Sequence, residues 1–194
     1  MTLHPAQNRG FRELVAASRR AIEHLETLGK RFESHQRATD ALEDGAATTA
    51  EMLRAVRAAI AEHDLHGGAA AQSVGASAAR AQSGVSDRFL ERNQAIRLAV
   101  LDVQHVTTLL AYLESVSATV GTIDLAELCH EWHGELARVE ERMRAAAVAV
   151  GKDPDYAIEP LDPSMFGRAA HSAQYWFGTF GEWFDRRSAE RGPD

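Results

Sequence analysis

Nine histidines share a chain of 194 residues with 28 Asp and Glu, and where these types recur three or four apart they could hold a metal. A carboxylate and an imidazole at i and i+3 share a helix face, which is how a helical bundle builds a carboxylate-bridged centre. One literal pair is present, Glu127-Leu128-Cys129-His130, and one relative, Asp102-Val103-Gln104-His105. With Trp132 taken as the core direction of its helix, His130 points roughly 160° away and Glu127 roughly 140° away, at about 100° per residue. That pair is expected to face water. Asp102 and His105 instead fall among Leu98, Leu109 and Tyr112, where a polar group must find a partner. They are expected to form a buried, hydrogen-bonded polar pair, and they are the chain's candidate site.

The remaining reactive residues give less. His130-Glu131-Trp132-His133 spaces its histidines at i, i+3, whereas the zinc-protease motif puts them at i, i+4 on one face. Glu62 and His66 lie near a helix end, where the dipole alone favours a histidine. Cys129 is the single cysteine. It excludes an intramolecular disulfide and a multi-Cys zinc site, and beside Leu128 and Trp132 it reads as a small buried hydrophobe. No phosphate loop, dinucleotide fingerprint or nucleophile elbow is present. We expect no catalytic residue, no metal and no cofactor.

The elements that would position these residues are helical. Prolines stand only at 5, 154, 160, 163 and 193, strand alternation is missing, and apolar residues recur every three or four positions. A first helix is expected from about Gly10 to Glu33, with Phe11, Leu14, Ser18, Ile22, Leu25, Leu28 and Phe32 as its stripe. A second runs from about Ala38 to His66, with Leu42, Ala46, Leu53, Val56, Ile60 and His63 inward. Residues 67–84 are Ala, Gly, Ser or Gln at sixteen of eighteen positions, either a flexible connection or a thin helix. A third helix is expected from a Ser86-Asp87 cap to Val120, closed by Gly121. Its stripe of Ile96, Ala99, Val103, Val106, Leu110, Leu113 and Val120 has a second apolar face beside it, made of Leu98, Leu101, Leu109, Tyr112 and Val116. A helix apolar over that much of its circumference is expected at the centre of the fold. A fourth, capped by Thr122 or Asp124, runs to Val150 with Leu125, Leu128, Trp132, Leu136, Val139, Met143 and Val150 inward.

Seven of the thirteen aromatic residues crowd into the last segment, from Met165 to about Arg187. Trp176, Phe180, Trp183 and Phe184 are spaced for one helical face, and anchors of this kind serve interfaces. The segment either packs back on its own bundle or recruits a partner. The architecture is therefore all-α: an up-down bundle of four long helices with an additional aromatic-rich C-terminal helix. Residues 1–151 make the bundle, and residues 152–194 make a connector and the helix that packs on it.

The net charge of −7 removes the basic footprint that nucleic-acid binding requires. The longest unbroken apolar run, Ala145 to Val150, is too short to cross a bilayer, and the first ten residues lack a secretory h-region. We expect a cytoplasmic, non-enzymatic binding, adaptor or assembly protein, working as a homodimer or with a helical protein partner. The alternatives are a ferritin-like carboxylate/His metal-binding protein or oxidoreductase, for which Glu23, Glu26 and Glu51 are the spare carboxylates, and an apolar ligand carrier.

Overall fold

A computed structural model describes residues 3–32, 34–61, 63 and 90–161. The segment 67–84 and the aromatic segment with Trp176, Phe180, Trp183 and Phe184 lie outside the described residues. Four long helices, α1 (Pro5–Gly29), α2 (Gln36–Ile60), α3 (Arg92–Thr119) and α4 (Ile123–Val150), are followed by one short turn of helix, α5 (Pro154–Ala157). Among the described residues the one β-type pairing is an isolated bridge between Glu91 and Pro160.

The chain marks most of these boundaries locally. Helix α1 begins five residues before the expected Gly10, because Pro5 stands at its first position, where a missing N–H costs nothing. His4 accepts from the Ala6 N–H, and Gln7 Oε1 accepts from the His4 N–H. Helix α2 is capped by His35 and stops at Ile60, not His66, so His63 lies past the helix and does not continue its stripe. Helix α3 is capped by Glu91 rather than Ser86-Asp87, and Gln94 Oε1 takes the Glu91 N–H. At its other end Gly121, at φ 82°, occupies the left-handed region. Thr122 N–H there reaches Ser117 O at 2.9 Å and Gly121 N–H reaches Ala118 O at 3.3 Å. Those two bonds close the last turn and reverse the chain into α4.

In cross-section the helices stand at four corners. Helix α1 packs on α2 and α3, α4 packs on α3 and α2, and α2 meets α3 only weakly across the diagonal. Every adjacent pair is antiparallel: Gly29 lies against Leu42, Gly45 against Met143, and Gly10 against Leu113. Helices α1 and α4 therefore run one way and α2 and α3 the other. The end of α2 and the start of α3 lie at opposite ends of the bundle, so the chain between them covers a helix length of about 36 Å at 1.5 Å per residue.

The core is continuous from Phe11 and Leu14 through Leu42 and Met52 to Ile96, Leu110, Leu113, Leu136 and Met143, all fully buried. Burial of each such side chain stabilises the fold by roughly 1.5–3 kcal/mol. The expected stripes of α1, α2 and α3 account for most of it. Exceptions are Ile22, which is half-buried, Val120, which is exposed just past the end of α3, and α4, whose stripe is rotated so that Cys129 and Ala146 are inward while Leu128 and Trp132 are only partly covered. Helix α3 does not sit at the centre. It occupies a corner, and Leu98, Leu101 and Tyr112 of its second apolar face are exposed; a four-cornered bundle covers one side of each helix, so excess apolar surface has nowhere to go.

Candidate functional site

Asp102 and His105 do not form a pair. Asp102, partly buried, holds His24 of α1, with Nδ1 to Oδ2 at 2.6 Å. His105 is exposed and faces Glu13 of α1 at 3.7 Å. Both contacts stitch α1 to α3 along the rim of the bundle. Asp102 is about 100° round the helix from fully buried Val103, which places it at the α1 boundary, and His105 lies further towards solvent. By sequence both residues are expected to be buried within an apolar face, whereas Asp102 is only partly buried and His105 is exposed. The partner His24 escapes a sequence reading because it belongs to another helix whose register is set by packing.

A second polar cluster carries no obvious sequence signal. Gln7, almost fully buried, donates through Nε2 to Ser117 Oγ at 3.0 Å and to Thr122 Oγ1 at 2.6 Å. Every polar atom of its amide is used, and the N-terminus of α1 is tied to the α3–α4 turn. Thr122, which stands at the α4 cap position, turns its hydroxyl to Ser117 O rather than to its own helix. The cluster is a structural joint.

Metal chemistry finds little to work with. Glu127 and His130 are exposed, as expected, and His130 reaches Glu114 at 3.0 Å. Glu23, Glu26 and Glu51 are exposed as well, and among the described residues no three His, Cys, Asp or Glu side chains converge. A carboxylate-bridged centre needs inward carboxylates, and among the described residues no Asp, Glu or His is fully buried. Cys129 is fully buried, and that burial, with the nearby Glu114 charge adding to it, pushes its thiol up to about 12. It stays protonated at neutral pH and offers no thiolate nucleophile.

The feature that stands out is apolar. Between the first half of α3 and the last turns of α4 lies an open groove of about 810 Å³, floored by Val100 and Ala147 and walled by Leu90, Leu98, Leu101 and Val148. Leu98 is 40% exposed, Leu101 55% and Val148 66%. Arg97 and Arg144 stand on its rim. By length and composition α3 alone among the described helices could cross a membrane, and half of the relevant stretch is buried inside the bundle.

The segment after α4 is fastened to the same end of the bundle. Asp153 caps α5 by accepting from the Tyr156 N–H at 3.1 Å. Arg92 N–H donates to Glu159 O at 3.0 Å, and Leu161 N–H donates to Leu90 O at 2.9 Å. The Arg92 guanidinium lies 4.3 Å from the Tyr156 ring centre and 3.2 Å from Glu159, and the same ring stacks on His35. The connector is thus clamped rather than loose, and Leu161 is buried where it meets Leu90.

Fold and groove together define a class, an all-α four-helix bundle with an apolar seam exposed among the described residues. No protein-family model matches the chain, and neither does any curated protein or solved structure.

Proposed function

We propose that this protein is a non-enzymatic binding or assembly module whose working surface is the groove between α3 and α4, where it takes an amphipathic helix. The observation that carries this reading is the joint exposure of Leu98, Leu101 and Val148 along one seam. Scattered apolar residues on a surface need no explanation, but a contiguous apolar patch marks a contact. An amphipathic helix laid in a groove places anchors at i, i+3, i+4 and i+7, and an interhelical seam is the natural receptacle for such a row. The rim arginines favour a partner with acidic flanks. That helix comes from a second copy of this chain or from a different helical protein.

The test uses the full chain with Trp176, Phe180, Trp183 and Phe184 replaced by Ser, so that its own aromatic segment does not compete. A fluorescent helical peptide of Leu and Glu, with Leu on one face, is titrated against it. Saturable binding that disappears when Leu98→Glu and Leu101→Glu are added is the expected outcome. Absence of binding, or binding indifferent to those two substitutions, removes the helix-docking reading.

A further inference from the structure

We infer that the groove between α3 and α4 is the seat of the chain's own C-terminal segment, 162–194, which docks there through Trp176, Phe180, Trp183 and Phe184. This rests on the reading of the groove as a helix-docking surface and names its first occupant. The argument is one of tethering. The last described residue, Leu161, hydrogen-bonds to Leu90, and Leu90 is itself a wall of the groove. The 33 residues that follow therefore start at the groove's mouth, held there by the Glu91–Pro160 bridge and the Arg92 clamp on Glu159 and Tyr156. Along α3 the groove runs from Leu90 to Gln104, about 21 Å at 1.5 Å per residue. The four aromatics, at i, i+4, i+7 and i+8, form a row of about 12 Å on the same scale, which the groove contains. Chain length leaves residues 162–175 to make the approach.

Chemistry and concentration point the same way. Among the described residues the groove's apolar walls stand exposed, and the segment carries four large apolar anchors in its sequence, so each has what the other needs. Glu182 and Asp185 flank Trp183-Phe184, with Arg186 and Arg187 following; the two carboxylates are opposite in sign to Arg97 on the rim, where Arg144 is already paired with Glu140. A tether this short makes docking intramolecular, at an effective concentration that a separate partner or second copy meets only when abundant. An outside helix then enters the groove by displacing the segment.

The experiment reads the two tail tryptophans in the full chain. With Trp132→Phe, the fluorescence comes from Trp176 and Trp183. Docking predicts blue-shifted emission and acrylamide quenching several-fold below that of free indole, in a protein of monomeric mass, independent of dilution. Adding Leu98→Glu and Leu101→Glu, both exposed positions outside the core, should shift emission to the red and raise quenching several-fold while the helical circular dichroism persists. Ile123→Glu, equally exposed at the other end of the bundle, should change neither. Tail tryptophans quenched like free indole in the parent protein overturn the inference, as does shielding that survives the two groove substitutions. Shielding confined to a dimer and lost on dilution also overturns it, and assigns the groove to a second copy's segment. A solvated tail in a protein whose Ser-substituted form still binds the Leu/Glu peptide overturns this inference alone. A solvated tail with no peptide binding overturns the docking surface as well.

Discussion

The inner face of α3, with Ile96, Ala99, Val103, Val106, Leu110 and Leu113, is fully buried, whereas Leu98 and Leu101 on the same helix stand largely in water. Both faces are apolar. What separates them is which neighbours close on them: α1 and α4 cover the inner face of α3, and Leu98 and Leu101 stay exposed among the described residues. Apolar character thus reports where a helix is able to pack, and the difference between that and where the bundle packs it exposes a surface for something else.

The largest test of this comparison is a pair of truncations. Leu110→Ala opens a cavity in the closed core and is expected to cost about 2–5 kcal/mol. Leu101→Ala opens none and should cost less than about 1 kcal/mol in urea unfolding. Equal losses would mean that both faces belong to one core.

A smaller difference separates the two polar residues beside those faces. Asp102→Ala removes the 2.6 Å contact to His24 at a partly buried position, and a loss of about 1–3 kcal/mol is expected. His105→Ala, at an exposed position, should stay within about 0.5 kcal/mol. A reversal of that order would put the α1–α3 stitch at Glu13 rather than at His24.

Two glycines sharpen the contrast between closed and open seams. A Cβ at Gly10 would lie 2.7 Å from Leu113 Cδ2, whereas one at Gly134 meets nothing within 4 Å. Gly10→Ala should therefore destabilise by about 1–3 kcal/mol through overpacking. Gly134→Ala should stabilise by about 0.5–1 kcal/mol through helix propensity. Thermal unfolding of both variants decides this; a neutral Gly10→Ala would mean that α1 and α3 are less tightly seated than Gly10 and Leu113 imply.

Much of the fold is legible in the residues themselves. The 3.6-residue period gives the four long helices and most of their buried positions, and Gly121 marks the α3–α4 reversal. The misread ends have local causes: Pro5 is a start signal inside a polar stretch, and His63 falls three residues after Ile60, so the spacing carries the stripe past the point where α2 has already stopped. The site is less legible, because Asp102 finds its partner through the register of α1 against α3. That register depends on Gly10 letting Leu113 approach. Nor does a single helix's pattern say which of two apolar faces a neighbour will cover. The groove appears only once α4 is placed beside α3, when Val148 comes to stand with Leu98 and Leu101.

The most direct measurement is hydroxyl-radical footprinting of the intact chain. Ile123 and Ile158, 52% and 50% exposed, are internal standards for Leu101, which is 55% exposed in the bundle. If the groove is a docking surface occupied in the intact chain, Leu98, Leu101 and Val148 are oxidised several-fold less than the two isoleucines. Oxidation of Leu101 at the same rate as Ile123 and Ile158 would contradict the account, because the groove would then be open to water along its length.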